Sequence, residues 1–221
     1  MMADKKIRNV LFDLDGTLAD TAPDLAFAVN SLLEEKQRPA LSLDVVKPLV
    51  SLGGIAMVRT AFGIEEDDLE FGELKNRFLE IYRKNIALHT VLFDGIESVL
   101  SSLESRHMSW GIVTNKSTWL TLPLMEALRL SERTPCIVCG DTVEHAKPHP
   151  APLLHACDLL HCTPKQTLYV GDALRDIEAG NRAGMTTLVA NYGYIGEEDK
   201  TQNWGADGEV NSAVEILDWV S

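Results

Sequence analysis

Short apolar runs alternate with amphipathic helical patterns along most of this 221-residue chain. Charged residues or glycine bound each run, as is typical of buried strands, and the segments between the runs keep helical spacing. Such alternation requires right-handed crossovers and predicts an α/β fold, a parallel sheet with helices on both faces. We expect strands at Asn9–Asp13, Trp110–Thr114, Cys136–Cys139, Thr167–Val170 and Thr187–Ala190. We expect helices at Ile96–Arg106, Trp119–Arg129, Pro150–Leu160 and Asp176–Ala183.

One long stretch interrupts this alternation. Between residues 20 and 87 the patterns are helical, and none of them is a convincing strand. Thr21 with Pro23 two residues later is typical of a helix N-terminus. We therefore expect residues 20–87 to form a small all-helical cap domain, and residues 1–19 and 88–221 to form the catalytic core. The hinges are expected near residues 18–21 and 89–93.

Two carboxylates stand at the end of the first predicted strand. Asp13 and Asp15 are two positions apart, so they point the same way at a strand end. Like charges this close repel, and their burial is costly unless a cation or a proton relieves it. Polar residues also end two other strands, at residues 114–116 and 171–172. Reactive groups collect beyond the carboxyl ends of parallel strands, so we expect a chemical site there.

Charge and composition restrict the partners. Lys and Arg total 20 against 33 Asp and Glu, and the formal net charge of −13 argues against binding to nucleic acid or to anionic membranes. No apolar stretch approaches the roughly 20 residues of a membrane span, and the first apolar run is too short for a signal peptide. We therefore expect a cytoplasmic protein. Cys136 and Cys139 form a C-x-x-C without a second zinc-like pair, and a buried structural role is expected for them.

The motif Asp13-Leu14-Asp15-Gly16-Thr17 resembles the first motif of the haloacid dehalogenase superfamily, in its phosphatase version. The other motifs follow in order: Thr114 at a strand end, Lys147 in a proline-flanked loop, and Asp172 after a glycine, with Asp176 four residues on. The resemblance covers essentially the whole chain and implies a Rossmann-like core with a cap. Asp176 is expected to orient the ligands of a metal, with an ordinary helix-start carboxylate as the alternative.

The resemblance implies a Mg²⁺-dependent phosphomonoester hydrolase that works through an aspartyl-phosphate intermediate. Asp13 would be the nucleophile, and Asp15 would serve first as general acid and then as general base. The side chains of Asp13 and Asp172, with the backbone carbonyl of Asp15, would hold the Mg²⁺. Thr114 would bind a phosphoryl oxygen, and Lys147 would neutralise both the nucleophile and the transferring group.

Substrate specificity is expected to come from the cap. Gly53-Gly54 would let the backbone approach a ligand closely, so Gly54 is a candidate substrate contact. Arg59 is the candidate for an anionic group of the substrate, because its guanidinium fork suits carboxylates. A plain helix–helix turn and a surface cation remain the alternatives for these positions. Asn115 and Lys116 are further candidate contacts.

Within the superfamily the chain generally resembles phosphoglycolate phosphatases. Residues 53–62, 191–195 and 203–207 resemble a narrower group, the N-acetylmuramic acid 6-phosphate phosphatases of peptidoglycan recycling. This implies a small phosphomonoester as substrate, either N-acetylmuramic acid 6-phosphate or, as the alternative, phosphoglycolate or another small sugar phosphate. A phosphomutase or a non-catalytic binding protein on the same fold is a remoter alternative. The sequence leaves monomer and homodimer undecided.

Overall fold

The computed structural model describes residues 6–196 and 199–220. Within them the strands are β1 (Asn9–Phe12), β2 (Ala19–Asp20), β3 (Val91–Leu92), β4 (Ser109–Val113), β5 (Ile137–Val138), β6 (Thr167–Gly171), β7 (Thr186–Ala190) and β8 (Gly208–Val210). Six of these strands form one sheet in the order β5-β4-β1-β6-β7-β8, and every pairing in that sheet is parallel. The predicted α/β parallel sheet is confirmed.

Helices connect these strands and cover the sheet. The α-helices are α1 (Ala22–Glu35), α2 (Leu43–Val50), α3 (Gly53–Phe62), α4 (Phe71–Lys84), α5 (Ile96–Ser105), α6 (Thr118–Ala127), α7 (Ala151–Leu159) and α8 (Leu174–Ala183). Short 3-10 helices lie at Pro164–Gln166, Thr201–Asn203 and Ala213–Trp219. Within the described residues, no helix combines the length and apolar character that crossing a membrane requires.

The central strand β1 shows why both faces of the sheet are covered. Val10 and Phe12 point into one buried apolar cluster, and Leu11 points into another on the opposite face. All three side chains are fully buried, because helices pack against each face. The five predicted strands are all present, although β5 is shorter than expected. The sequence did not predict β8 or the short pair β2 and β3.

Four helices, α1 to α4, form the helical cap, which has its own apolar cluster around Phe78 and Tyr82. The chain enters and leaves the cap through an antiparallel ribbon, in which Ala19 pairs with Leu92 on β2 and β3. This ribbon lies at both predicted hinges, beside the predicted domain boundaries. The cap is therefore attached to the core through two strands that are paired in space, although the whole cap lies between them in the sequence.

Polar bonds hold the base of the cap together. The buried Asp24 carboxylate, in the first turn of α1, accepts hydrogen bonds from the backbone N–H groups of His89 and Thr90. Thr21 stands at the N-cap of α1 as expected, but its hydroxyl makes no capping bond. It donates instead to Asp15 Oδ1 at 2.6 Å. The residue that starts the cap therefore contacts the acidic motif directly.

The four cysteines are free thiols. Cys136, Cys139 and Cys157 are buried, and Cys162 is partly buried. Burial raises the pKa of the Cys136 thiol to about 12, so that side chain behaves as a small apolar group.

Candidate active site

Three carboxylates meet at the carboxyl end of the central strands. Asp13 follows β1, Asp172 follows β6, and Asp176 lies in the first turn of α8. Strands β1 and β6 pair with Phe12 opposite Val170, which brings their ends together. All three side chains are buried, and one carboxylate oxygen from each lies within 4.8 Å of the others. The sequence predicted the convergence of Asp13 and Asp172 at this edge.

Lys147 is the cation inside this group. Its ammonium lies 3.0 Å from Asp13 Oδ1 and 2.7 Å from Asp176 Oδ1, and its side chain is fully buried. It also donates to the carbonyl oxygen of Val113 at 2.8 Å and to the hydroxyl of Tyr169 at 2.7 Å. Because all its partners are fixed by the sheet or by α8, the ammonium is held in one place beside the expected nucleophile.

The charges in this cluster do not balance. Burial and the Asp176 charge raise the pKa of Asp13, although Lys147 opposes that rise. Burial, Asp13 and Asp176 together raise the pKa of Asp172 to about 8. The Arg175 guanidinium, 4.0 Å from Asp13 Oδ2, compensates only in part. A divalent cation with oxygen ligands would relieve the repulsion, so the donor set fits such an ion.

Backbone and side chains hold Asp172 tightly. The N–H of Tyr194 donates to its Oδ2 at 3.0 Å, and the hydroxyl of Thr17 donates to its Oδ1 at 3.2 Å. Gly16 passes so close that a Cβ there would lie 2.1 Å from the Oδ2 atom, and its φ is +83°. Only glycine satisfies both conditions, so the Gly in the acidic motif sets the position of Asp172.

Tyr194 also connects the site to the hinge of the cap. Its hydroxyl donates to Asp20 Oδ1 at 2.6 Å and accepts from the backbone N–H of Ala22 at 2.8 Å. Its ring packs edge-on against Phe93, which follows the second hinge strand. The segment 191–195, which the sequence singled out, therefore joins a carboxylate of the site to both sides of the hinge.

Asp15 is not part of the carboxylate cluster. Its Oδ1 accepts from Thr21 at 2.6 Å and from the Lys116 ammonium at 2.7 Å. That ammonium also lies 4.7 Å from the centre of the Tyr82 ring, which comes from the cap. Burial opposes the charge of Lys116, but Asp15 and Tyr82 outweigh it, so the pKa of Lys116 rises. The role expected for the Asp15 backbone carbonyl as a metal ligand stays a prediction.

Two more predicted residues follow β4. Thr114 is buried and lines the same cavity as Asp13, and its hydroxyl oxygen accepts from the backbone N–H of Lys116 at 3.2 Å. The Asn115 amide makes two bonds to the backbone of Lys147, at 2.9 and 3.0 Å. Asn115 lines the cavity, and its expected contact with substrate stays a prediction, although its amide already binds the Lys147 backbone. It holds the loop that carries Lys147.

A cavity of about 520 Å³ lies between Asp13 and the helices of the cap. Its core end contains Asp13, Thr114 and Arg175, and its cap end contains apolar side chains such as Met57 and Phe78. Ligand sites have volumes of roughly 300–1,000 Å³ and combine apolar walls with a few polar groups. This cavity has both properties, and it opens directly onto the expected nucleophile.

The structure corrects the expectation for Arg59. Its guanidinium pairs with Glu65, its side chain is about half exposed, and it does not line the cavity. Gly54 does line the cavity, as expected. Arg59 lies five residues later on the same helix, which places it about 140° around the helix axis from Gly54, and so it faces away from the cavity. The cations that do line the cavity include Lys75 and Arg175, which the sequence did not indicate.

Arg175 links the cap to the core. Its guanidinium donates to the carbonyl oxygen of Ser51, in the turn between α2 and α3, and its other side faces Asp13. The hydroxyl of Ser51 donates to Asp172 Oδ2 at 3.4 Å, and Arg175 Nε is buried without a hydrogen-bond partner in the described residues. The sequence feature that could have indicated a role for Arg175 in the site is its position directly before Asp176.

Comparison with known proteins identifies the family. The sequence model of one protein family, the haloacid dehalogenase-like hydrolases, matches residues 10–190 of this chain. The chain is 42% identical to the N-acetylmuramic acid 6-phosphate phosphatase of Pseudomonas putida, over 96% of this chain and 95% of that one. It is 40% identical to the phosphoglycolate phosphatase of Xylella fastidiosa, over 90% and 87% of the two chains. The chain therefore belongs to the haloacid dehalogenase-like hydrolases.

Solved structures agree on the fold. A crystal structure of a predicted phosphoglycolate phosphatase from Haemophilus somnus superimposes with a TM-score of 0.86, covering 99% of each chain at 28% identity. A haloacid dehalogenase-like hydrolase from Bacteroides fragilis gives a TM-score of 0.83 at 23% identity, over 96% of this chain and all of the other. The α/β core and helical cap are thus shared across the whole length.

Proposed function

We propose that this protein is a Mg²⁺-dependent phosphomonoester hydrolase that dephosphorylates N-acetylmuramic acid 6-phosphate through an aspartyl-phosphate intermediate. One observation carries the reaction: buried Asp13 lies beside the fixed ammonium of Lys147 at the floor of a ligand-sized cavity. The identity to the Pseudomonas putida enzyme supports the substrate. The free cysteines accord with a reducing cytoplasm as the place of the reaction.

The reaction has two displacement steps. A carboxylate oxygen of Asp13 forms a bond to phosphorus while the bond from phosphorus to the sugar oxygen breaks, and Asp15 gives that oxygen a proton. Water then attacks the phosphorus of the aspartyl phosphate and releases Asp13, while Asp15 takes the proton of the water. Lys147 and Thr114 stabilise the charge on the transferring oxygens.

The carboxylates of Asp13 and Asp172, with the backbone carbonyl of Asp15, would hold the Mg²⁺. Asp176 is already bonded to Lys147 and lies 3.3 Å from the Tyr169 hydroxyl, so its role is to orient the cluster. When bound, the ion supplies positive charge between the carboxylates and an anionic phosphate. Without such charge the acidic cluster would repel the substrate.

The size of the cavity favours a sugar phosphate over phosphoglycolate. A volume of about 520 Å³ leaves most of the space unfilled by a molecule as small as phosphoglycolate. The apolar cap end, with Met57 and Phe78, offers contact for the nonpolar faces and methyl groups of an acetylated sugar. Phosphoglycolate phosphatase stays the second candidate, because several relatives named so are about 40% identical.

Comparison of kcat/KM for N-acetylmuramic acid 6-phosphate, phosphoglycolate and hexose phosphates tests the proposal. We expect the first substrate to lead by at least about tenfold, a difference of roughly 1.4 kcal/mol. All activity should need Mg²⁺ and should disappear in Asp13→Asn. A lead for phosphoglycolate would refute the proposed substrate, and near-normal turnover by Asp13→Asn would refute the proposed reaction.

A further inference from the structure

The cations of the cavity differ in what they already bind. Arg175 lies at the phosphate end, 4.0 Å from Asp13 and bonded to the cap turn. Lys116 is paired with Asp15. Lys75, which comes from cap helix α4, lines the cavity too, but no carboxylate of the described residues lies within 4.0 Å of its ammonium. It is the cation of the cavity wall that has no carboxylate partner in that part of the chain.

The surroundings of Lys75 are apolar. Its ammonium lies 5.9 Å from the centre of the Phe71 ring, one turn back along α4. Phe78 and Leu79, which follow on the same helix, line the cavity beside it. Lys75 is partly buried, and its ammonium can form a charge-assisted bond with an anion that enters the cavity. On the outward face of α4, by contrast, Arg77 is paired with Glu35 and solvated.

The cavity therefore has a cationic side chain at each end, Arg175 beside the carboxylates of the core and Lys75 on the cap, with apolar side chains between them. A ligand that fits it carries a phosphate at the core end and a second anion near the cap. We infer that Lys75 is a specificity-determining residue that binds a carboxylate on the leaving group of the substrate. This inference rests on the proposed function, because N-acetylmuramic acid 6-phosphate carries a lactyl carboxylate on the side of the sugar remote from the phosphate.

A matched pair of substrates isolates this contact. N-acetylglucosamine 6-phosphate has the same phosphate and acetamido group as N-acetylmuramic acid 6-phosphate but lacks the lactyl carboxylate. In Lys75→Met, kcat/KM for the muramic substrate should fall about 10- to 100-fold, the range for loss of one hydrogen bond to a charged group, and mainly through KM. The value for the glucosamine substrate should stay within about twofold of wild type.

Two variants serve as controls. Lys84→Met removes the same charge from the exposed end of the same helix, away from the cavity, and should leave both substrates unchanged. Lys75→Arg keeps the charge and should restore most of the preference. Two results would overturn the assignment of Lys75. One is an equal fall in kcat/KM for both substrates in Lys75→Met, and the other is a preference for the substrate with the carboxylate that survives the substitution.

The experiment separates this inference from the proposed function. Phosphoglycolate and 2-hydroxyethyl phosphate, which differ in the carboxylate, form a second pair. Suppose that wild type prefers phosphoglycolate both over N-acetylmuramic acid 6-phosphate and over 2-hydroxyethyl phosphate. If Lys75→Met then loses the preference for phosphoglycolate over 2-hydroxyethyl phosphate, the carboxylate site stands and the proposed substrate fails. If wild type prefers the carboxylate in neither pair, the inference about Lys75 is wrong.

Discussion

Replacing Asp172 with Asn should stabilise the metal-free protein while it removes activity. Burial, Asp13 and Asp176 raise the pKa of Asp172 from 3.8 to about 8. Between these values the folded protein keeps a proton that the unfolded chain has lost, so the free energy of unfolding falls as the pH rises. Above about pH 8 both states are ionised, and the loss levels off at its largest value.

The size of this effect follows from the same shift. The gap between the two pKa values corresponds to roughly 6 kcal/mol as an upper limit. Relaxation and water entry weaken buried electrostatics, since an effective dielectric constant of about 20 describes most such sites. We therefore expect Asp172→Asn to raise the free energy of unfolding by about 2–3 kcal/mol at about pH 9. This corresponds to about 5–10 °C in the melting temperature.

The melting temperatures of wild type and Asp172→Asn, measured in EDTA at about pH 5 and about pH 9, test this prediction. We expect Asp172→Asn to melt at a higher temperature than wild type, by a larger difference at the higher pH. Asp67→Asn, an exposed cap residue, makes the same change of charge and serves as the control. Saturating Mg²⁺ should stabilise wild type but not Asp172→Asn, because only wild type keeps the full set of ligands. A lower or unchanged melting temperature for Asp172→Asn in EDTA at about pH 9 would refute the reasoning.

Two further substitutions test how the site is positioned. Gly16→Ala places a Cβ 2.1 Å from Asp172 Oδ2, so the carboxylate must move. We expect kcat/KM to fall about 100-fold while the circular dichroism spectrum stays unchanged. Normal activity would show that the position tolerates a side chain. Asn115→Ala removes two hydrogen bonds to the Lys147 backbone. We expect kcat to fall about tenfold or more, and the free energy of unfolding, measured in urea, to fall by about 1–3 kcal/mol. A normal kcat would mean that the loop is held without the amide.

The sequence predicts the core well because its signals are local. Val10 to Phe12 is an apolar run that stops at Asp13, and such a run indicates a buried strand whatever its neighbours are. Parallel strands in βα units then place their carboxyl ends at one edge, which brings Asp13 and Asp172 together without knowledge of the register. The short strand β8, Gly208–Val210, has no such run, and only its pairing with β7 defines it.

The cap was harder because its contacts depend on how the helices pack. Arg59 and Lys75 are both plausible cations on cap helices, and only the rotation of each helix decides which one faces the cavity. Thr21 has the sequence of an N-cap, but its tertiary partner is Asp15. Which partner a side chain finds depends on how the chain folds around it, as the bond from Thr21 to Asp15 shows, so the sequence pattern could not indicate such contacts.

The central claim is that Asp13 carries the phosphoryl group, and trapping this intermediate tests it most directly. Borohydride reduces an aspartyl phosphate to homoserine, which peptide mass spectrometry locates in the chain. Enzyme quenched rapidly during turnover with Mg²⁺ and substrate should contain homoserine at position 13, and enzyme without substrate should not. Efficient turnover with an unmodified Asp13, or homoserine at Asp15 instead, would contradict the account.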